Sequence, residues 1–216
     1  MTRGIGRKKG ELTLYGKGDK VVYPMHGAGI IKDIVDKKFL SEKQKYYEMK
    51  MPIGDMIVSI PVNNIVEIGI RDVIATEVAH NVMQAFAEMT IDMSSNWNRR
   101  YRENMLKLKK GDALEVAYVV KCLMIREKMR GISTGERKML SNAKQILISE
   151  LVLAQAATSE EIMEYFNAEV DRYIEELVPQ DGKVVAADII TPVTQPIAQE
   201  VAVEQEELEA VAVGQN

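Results

Sequence analysis

The sequence predicts an α+β chain of two domains, a small SH3-like bent β-barrel followed by an all-α helical bundle, with an acidic tail behind them. Three observations predict it. Between residues 18 and 71, short strand-type runs with two-residue alternation are cut at close intervals by Pro and Gly. From residue 72 to 178, apolar residues recur at helical spacing in five segments joined by short, capped links. Beyond residue 179 aromatic residues are absent and glutamate dominates the end of the chain. The expected division is a basic disordered extension over 1–17, the barrel over 18–71, the helical domain over 72–178 and a disordered acidic tail over 179–216.

Taken in order, residues 20–23 form a first strand ended by Pro24, and Gly27-Ala28-Gly29 reads as a turn. A second strand is expected over 30–35, a charged turn over 37–43 and an alternating third strand over 45–51. Pro52-Ile53-Gly54-Asp55 supplies turn chemistry, a fourth strand over 56–60 stops at Pro61, and a short fifth is expected over 65–68. Such a sheet is too small for a deep pocket, but its exposed edges can pair with another protein's strand.

The helical half begins with Asp72 as the expected cap of a helix running to about residue 89. The next helix starts at Trp97, gathers Lys107, Lys109 and Lys110 in its last turn and closes at Gly111. Asp112 with Glu115 makes a capping-box-like start to a helix that Gly131 ends, and Ser133 with Glu136 repeats the device. Thr158 with Glu161 opens a last helix, which Pro179 stops. Periodic apolar faces on five segments with short links argue for one helical bundle.

Composition narrows the function. Apolar residues make up 46% and charged residues 28%, as in a soluble globular protein. The net charge is −4, yet residues 95–150 hold thirteen basic and six acidic residues, a net of +7. A basic block inside an acidic chain suggests a surface that faces a polyanion. Cys122 is the only cysteine, so neither an internal disulfide nor a cysteine-based zinc site is expected; it reads as a small core residue. His26 and His80 fall in different domains and supply no metal-ligand spacing, and neither a P-loop nor a nucleophile elbow is present. The chain is therefore expected to be no enzyme, to take no metal or other cofactor, to span no membrane and to work in a reducing cytoplasm.

The stretch Asn96-Trp97-Asn98-Arg99-Arg100-Tyr101-Arg102 stands out, because it holds the only tryptophan beside three arginines. On a helix Trp97, Tyr101, Met105 and Leu108 share one stripe, and Arg99, Arg100 and Arg102 fall outside it, toward solvent or a partner. Two readings follow. Trp97 is an ordinary core or interdomain contact, or it is an aromatic wedge beside cationic phosphate contacts, as in minor-groove binders.

The residues Gly18-Asp19-Lys20-Val21-Val22-Tyr23-Pro24-Met25-His26-Gly27, Arg71-Asp72-Val73, Asn96-Trp97-Asn98-Arg99-Arg100-Tyr101, Gly111-Asp112, Gly135-Glu136-Arg137-Lys138-Met139-Leu140 and Ala143-Lys144-Gln145-Ile146-Leu147 resemble the CarD family of bacterial transcription regulators. The first of these motifs is shared with the polymerase-binding module of transcription-repair coupling factors; the tryptophan and lysine-rich motifs make the match specific. The resemblance implies a Tudor-like domain that binds the RNA polymerase β subunit by strand-edge pairing. It also implies a helical domain that touches promoter DNA at the upstream edge of the melted bubble. Carried over, Trp97 is the minor-groove wedge, with Asn96, Arg99, Arg100 and Arg102 as its DNA-binding neighbours. Lys37, Phe39, Met56 and Ser59 fall on the polymerase-facing edge. The family has arginine where Ser59 stands, which weakens the polymerase contact or moves it to other residues on that edge. The expected state is a monomer with weak promoter selectivity. The alternative is a protein-interaction adaptor whose helical domain binds another protein and buries Trp97.

Overall fold

Alternation of inward and outward side chains builds the first half of the molecule. The structure, a computed structural model, describes residues 14–39, 42–52, 56–91 and 96–177. Strands β1 (Lys20–Tyr23), β2 (Gly27–Phe39), β3 (Glu42–Lys50), β4 (Ile57–Pro61) and β5 (Arg71–Asp72) form one antiparallel sheet in the order β4-β3-β2-β1-β5. A register shift between Ile31 and Asp33 bends β2, as an extra residue in one strand of a pair does. The sheet closes over Val21, Ile31, Tyr47, Met49, Met51, Ile60 and Ile65.

Four expectations for this half need correction. Gly27-Ala28-Gly29 is the start of β2, paired with β1. These residues are small because neighbours approach closely: a Cβ on Gly27 would lie 2.7 Å from Ser149 Oγ, and one on Gly29 2.7 Å from Lys50 O. The charged stretch 37–43 is largely strand, pairing Lys37 with Gln44 and Lys38 with Lys43, since solvent-facing strand positions tolerate charge. Residues 65–68 form a short helix, α1 (Ile65–Ile68), closed by Gly69 in the left-handed conformation, and the fifth strand is Arg71–Asp72 instead. Ordered chain also begins earlier than residue 18: the Tyr15 ring meets Tyr47 edge-on at 6.4 Å and packs on the sheet core. The rest of the expected basic extension (1–13), turn residues 53–55 and the tail from 178 lie outside the described residues.

The helical half consists of α2 (Thr76–Glu88), α3 (Trp97–Lys110), α4 (Ala113–Arg130), α5 (Thr134–Leu153) and α6 (Ser159–Leu177). Helix α4 is apolar on nearly all sides, with residues 119–125 all buried, and it packs against α2, α3, α5 and α6. A helix hydrophobic all round belongs at the centre of a bundle. The Phe86 and Phe166 rings stack at 4.1 Å and join α2 to α6. Cys122 lies buried in α4, and burial pushes its thiol pKa up to about 11.

Caps stand at five helix ends. Asn96 accepts from Arg99 N, Asp112 from Leu114 N and Glu115 N, and Gly111 terminates α3 with a left-handed residue. Ser133 and Glu136 form a full capping box, and Thr158 and Glu161 make the same reciprocal bonds. Asp72, expected to cap α2, instead belongs to β5, and that helix starts four residues beyond it, at Thr76. Its far end is capped by a side chain from another helix: Lys121 Nζ donates to Ala87 O at 3.0 Å and Met89 O at 2.9 Å and stands 4.4 Å from the Tyr173 ring centre.

Sheet and bundle lie in one compact unit and share a polar seam. Val22 turns away from the sheet core toward Ala28 and Leu153. Ala28 N donates to Ser149 Oγ at 2.8 Å, and Lys20 Nζ to Leu153 O at 2.7 Å. Arg71 grips buried Glu150 at 2.5 and 2.9 Å and reaches Gly111 O at 2.6 Å. Thr76 Oγ1 donates to Ala154 O. Among the described residues no helix is long and apolar enough to cross a membrane, and no group of three or more His, Cys, Asp or Glu is placed to hold a metal ion.

Candidate nucleic-acid interface

The first turns of α3 and α5 meet, and Trp97 sits at their junction. Asn96 caps α3, so Trp97 is its first helical residue. The indole is partly exposed; it stacks on Tyr101 one turn later, with centroids 5.2 Å apart and planes at 25°. Its Nε1–H donates to Ser133 Oγ at 3.2 Å. Ser133 is the cap of α5, and its hydroxyl is fully used. It accepts from Trp97 and from Glu136 N at 3.2 Å, and it donates to Glu136 Oε2 at 3.0 Å. A hydroxyl has one donor and two lone pairs, so nothing is left over.

Glu136 is equally committed. Its Oε2 also accepts from Ser133 N at 3.1 Å, and its Oε1 accepts from Arg100 Nε at 3.0 Å and Nη2 at 2.7 Å. Arg126 Nε lies 3.8 Å from the same oxygen. Burial works against ionisation of Glu136, but the Arg100 hydrogen bond and the Ser133 backbone N–H outweigh it and hold the carboxyl below its ordinary pKa. Burial depresses the Arg126 pKa, with neighbouring Arg100 adding to the effect.

Arg100 is therefore a correction. Expected among the outward cations, it is 2% exposed and points into the bundle. The inward stripe of α3 is Arg100, Asn104 and Leu108, with Trp97, Tyr101 and Met105 on its flank. Arg100 turns inward because Glu136, brought over by the capping box, offers a buried carboxylate. Phosphate contact from this side chain would require breaking that pair.

Asn96, Arg99 and Arg102 are exposed, as expected. Arg99 holds Glu103 at 2.7 Å on the surface, a kind of i,i+4 pair worth only about 0.3–0.5 kcal/mol and easily exchanged for a phosphate. Exposed Arg137 and Lys138 lie in the first two turns of α5, just beyond Ser133. They join the same end of the molecule and were missed by attending to the tryptophan motif alone; the Ser133/Glu136 capping signature marks where they stand. Elsewhere the basic block is partly consumed internally: Lys121 is buried, Lys107 and Lys110 pair with Glu115, and Lys128 pairs with Asp171.

In the sheet, β4 is an edge strand. Met56 and Ile57 are half exposed beside it, and Ser59 is exposed. Lys37 crosses from β2 to donate to Ser59 Oγ at 2.7 Å and pairs with Glu48 at 3.2 Å. A cation thus stands over Ser59. Phe39 ends β2, and its side chain lies outside the described residues.

Comparison with known proteins covers both halves. The family model of the CarD-like/TRCF RID domain matches residues 15–74, and that of the CarD C-terminal domain matches residues 81–167. The chain is 41% identical over 148 residues to "Putative transcription factor YdeB" of Bacillus subtilis (strain 168), covering 68% of this chain and 97% of that relative.

Proposed function

This chain belongs to the CarD family and is a transcription regulator that interacts with RNA polymerase, and from that we propose a bridge between the polymerase and melting promoter DNA. Residues 18–71 bind the polymerase β subunit along the β4 edge, through Lys37, Phe39, Met56 and Ser59. Residues 72–178 meet the upstream edge of the bubble with Trp97, supported by Asn96, Arg99 and Arg102; Arg100 leaves the contact list for the interior. The protein acts in the cytoplasm as a monomer and takes no cofactor.

One observation carries this reading: a partly exposed indole stands at the start of a helix, stacked on Tyr101, with exposed arginines beside it. Helix N-termini and arginines suit phosphate oxygens, while an aromatic face suits an unstacked base. DNA at a bubble edge is already partly unstacked, so inserting a ring there avoids the few kcal/mol of kinking intact duplex. Only a preference for the open over the closed promoter shifts the opening equilibrium. With base–aromatic stacking worth roughly 1–3 kcal/mol, the open complex gains about five- to 150-fold. Trp97→Ala is expected to shorten open-complex lifetime by a factor in that range while polymerase binding, measured by pull-down of the β subunit, stays intact. An unchanged lifetime removes the wedge.

Among the described residues, a depression of about 330 Å3 lined by Ile30, Lys32, Lys50, Met51 and Pro52 brings no acid–base pair together. A second reading, an adaptor that binds another protein through the bundle, is favoured by Leu106, which is 61% exposed on the face of α3 that carries Arg99 and Arg102. Leu106→Ser separates the two: the bridge keeps its open-complex lifetime, whereas the adaptor loses its partner.

A further inference from the structure

We infer that Ser133, Glu136 and Arg100 are a positioning relay that holds the Trp97 indole in one orientation before DNA arrives; this rests on the wedge reading above. The bonds run without a gap from the interior to the surface. Arg100 Nε and Nη2 bind Glu136 Oε1 at 3.0 and 2.7 Å, Ser133 Oγ donates to Glu136 Oε2 at 3.0 Å, and Trp97 Nε1 donates to Ser133 Oγ at 3.2 Å.

The outer end of that chain is soft by itself and hard by attachment. A partly exposed tryptophan at the first residue of a helix has no preceding turn to pack on, so its side chain has several staggered orientations open to it. Two contacts remove that freedom: Tyr101 takes one face of the ring, and Ser133 takes the N–H at its edge. The Ser133 hydroxyl cannot swing away, because its proton is committed to Glu136 Oε2 and its second lone pair to Glu136 N. Glu136 cannot move either, because the buried Arg100 guanidinium holds its other oxygen. The residue that caps α5 thus aims the ring carried by α3.

Preorganisation has a measurable consequence. A side chain already confined loses less freedom on binding, an effect worth about two- to tenfold in affinity for one rotamer-rich side chain. Ser133 and Glu136 act on DNA only through Trp97. They are positioning residues whose loss shows first in the motion of the ring.

The experiment uses the full chain and its single tryptophan. Ser133→Gly removes the hydroxyl, and glycine is tolerated at helix N-caps at little cost to stability. Thr158→Gly makes the same change at the capping box of α6, away from the indole, and Ser133→Thr restores the hydroxyl. Time-resolved fluorescence anisotropy without DNA is expected to show added fast motion of Trp97 in Ser133→Gly, none in Thr158→Gly and wild-type behaviour in Ser133→Thr. Binding to a bubble-containing promoter fragment is expected to weaken about two- to tenfold in Ser133→Gly alone. Unchanged anisotropy in Ser133→Gly overturns the relay, whatever the DNA result. Added motion with unchanged bubble affinity, where Trp97→Ala does weaken binding, overturns the preorganisation. If Trp97→Ala leaves bubble affinity untouched while the anisotropy behaves as expected, the wedge fails and the relay stands as a feature of the free protein.

Discussion

Arg100 and Glu136 show how far one ion pair shapes this protein. Both are about 2% exposed, and Arg126, 3.8 Å from Glu136, replaces Arg100 only in part. Truncating one member of such a pair typically costs about 3–5 kcal/mol, and Arg100→Ala is expected to lower the urea midpoint accordingly. The pair also has a pH signature. The folded-state pKa of Glu136 is depressed, so its contribution is present above the unfolded value of about 4.3 and is lost as pH falls through the lower folded value. Unfolding curves between pH 7 and pH 3 test this: the wild type loses more stability across that interval than Glu136→Gln does. A further check is Cys122, whose thiol pKa near 11 predicts no alkylation in the native protein at pH 8 and rapid alkylation in urea. None of the sequence around Trp97 distinguishes Arg100 from Arg99 or Arg102, because helical spacing sorts apolar residues and treats every cation as outward. What sorts these three is a carboxylate 36 residues away.

Elements that announce their ends chemically were legible. Asn96, Gly111, Asp112, Gly131 and Ser133 each stand where a backbone group must be satisfied or a chain must reverse, and α3, α4 and α5 begin or end there. Elements without such marks were misread. A four-residue apolar run has no period to reveal, so residues 65–68 passed for a strand; Asp72, a good cap by composition, was claimed by pairing with Val21. Gly27-Ala28-Gly29 was misread for a physical reason: small residues serve turns and close approaches alike, and only the partner decides. Here the partner is α5 for Gly27 and β3 for Gly29. Gly27 has a φ of +107° and no room for a Cβ against Ser149, so Gly27→Ala is expected to destabilise the fold by about 1–3 kcal/mol, measured by thermal or urea unfolding.

At the scale of the whole molecule, the β4 edge of the sheet and the Trp97 indole belong to one compact unit. Their connection is the seam of Arg71, Glu150, Ser149, Ala28 and Lys20, not a flexible linker. A rigid tether presents the second contact at a fixed place and raises its effective concentration there. Arg71→Ala removes both the partner of buried Glu150 and the bond to Gly111 O, where α3 ends. It is expected to leave binding to the isolated β subunit unchanged while shortening open-complex lifetime, measured on the same promoter as Trp97→Ala. The candidate site was legible as a motif but not as an assembly, since no spacing in the chain reveals that α3 and α5 begin side by side. The two faces of β1 carry a last consequence. Val21 serves the sheet and Val22 serves the helices, so neither half is finished alone. A fragment cut near residue 74 would bare an apolar stripe, and its clumping in solution would reflect that raw surface instead of any appetite for polymerase.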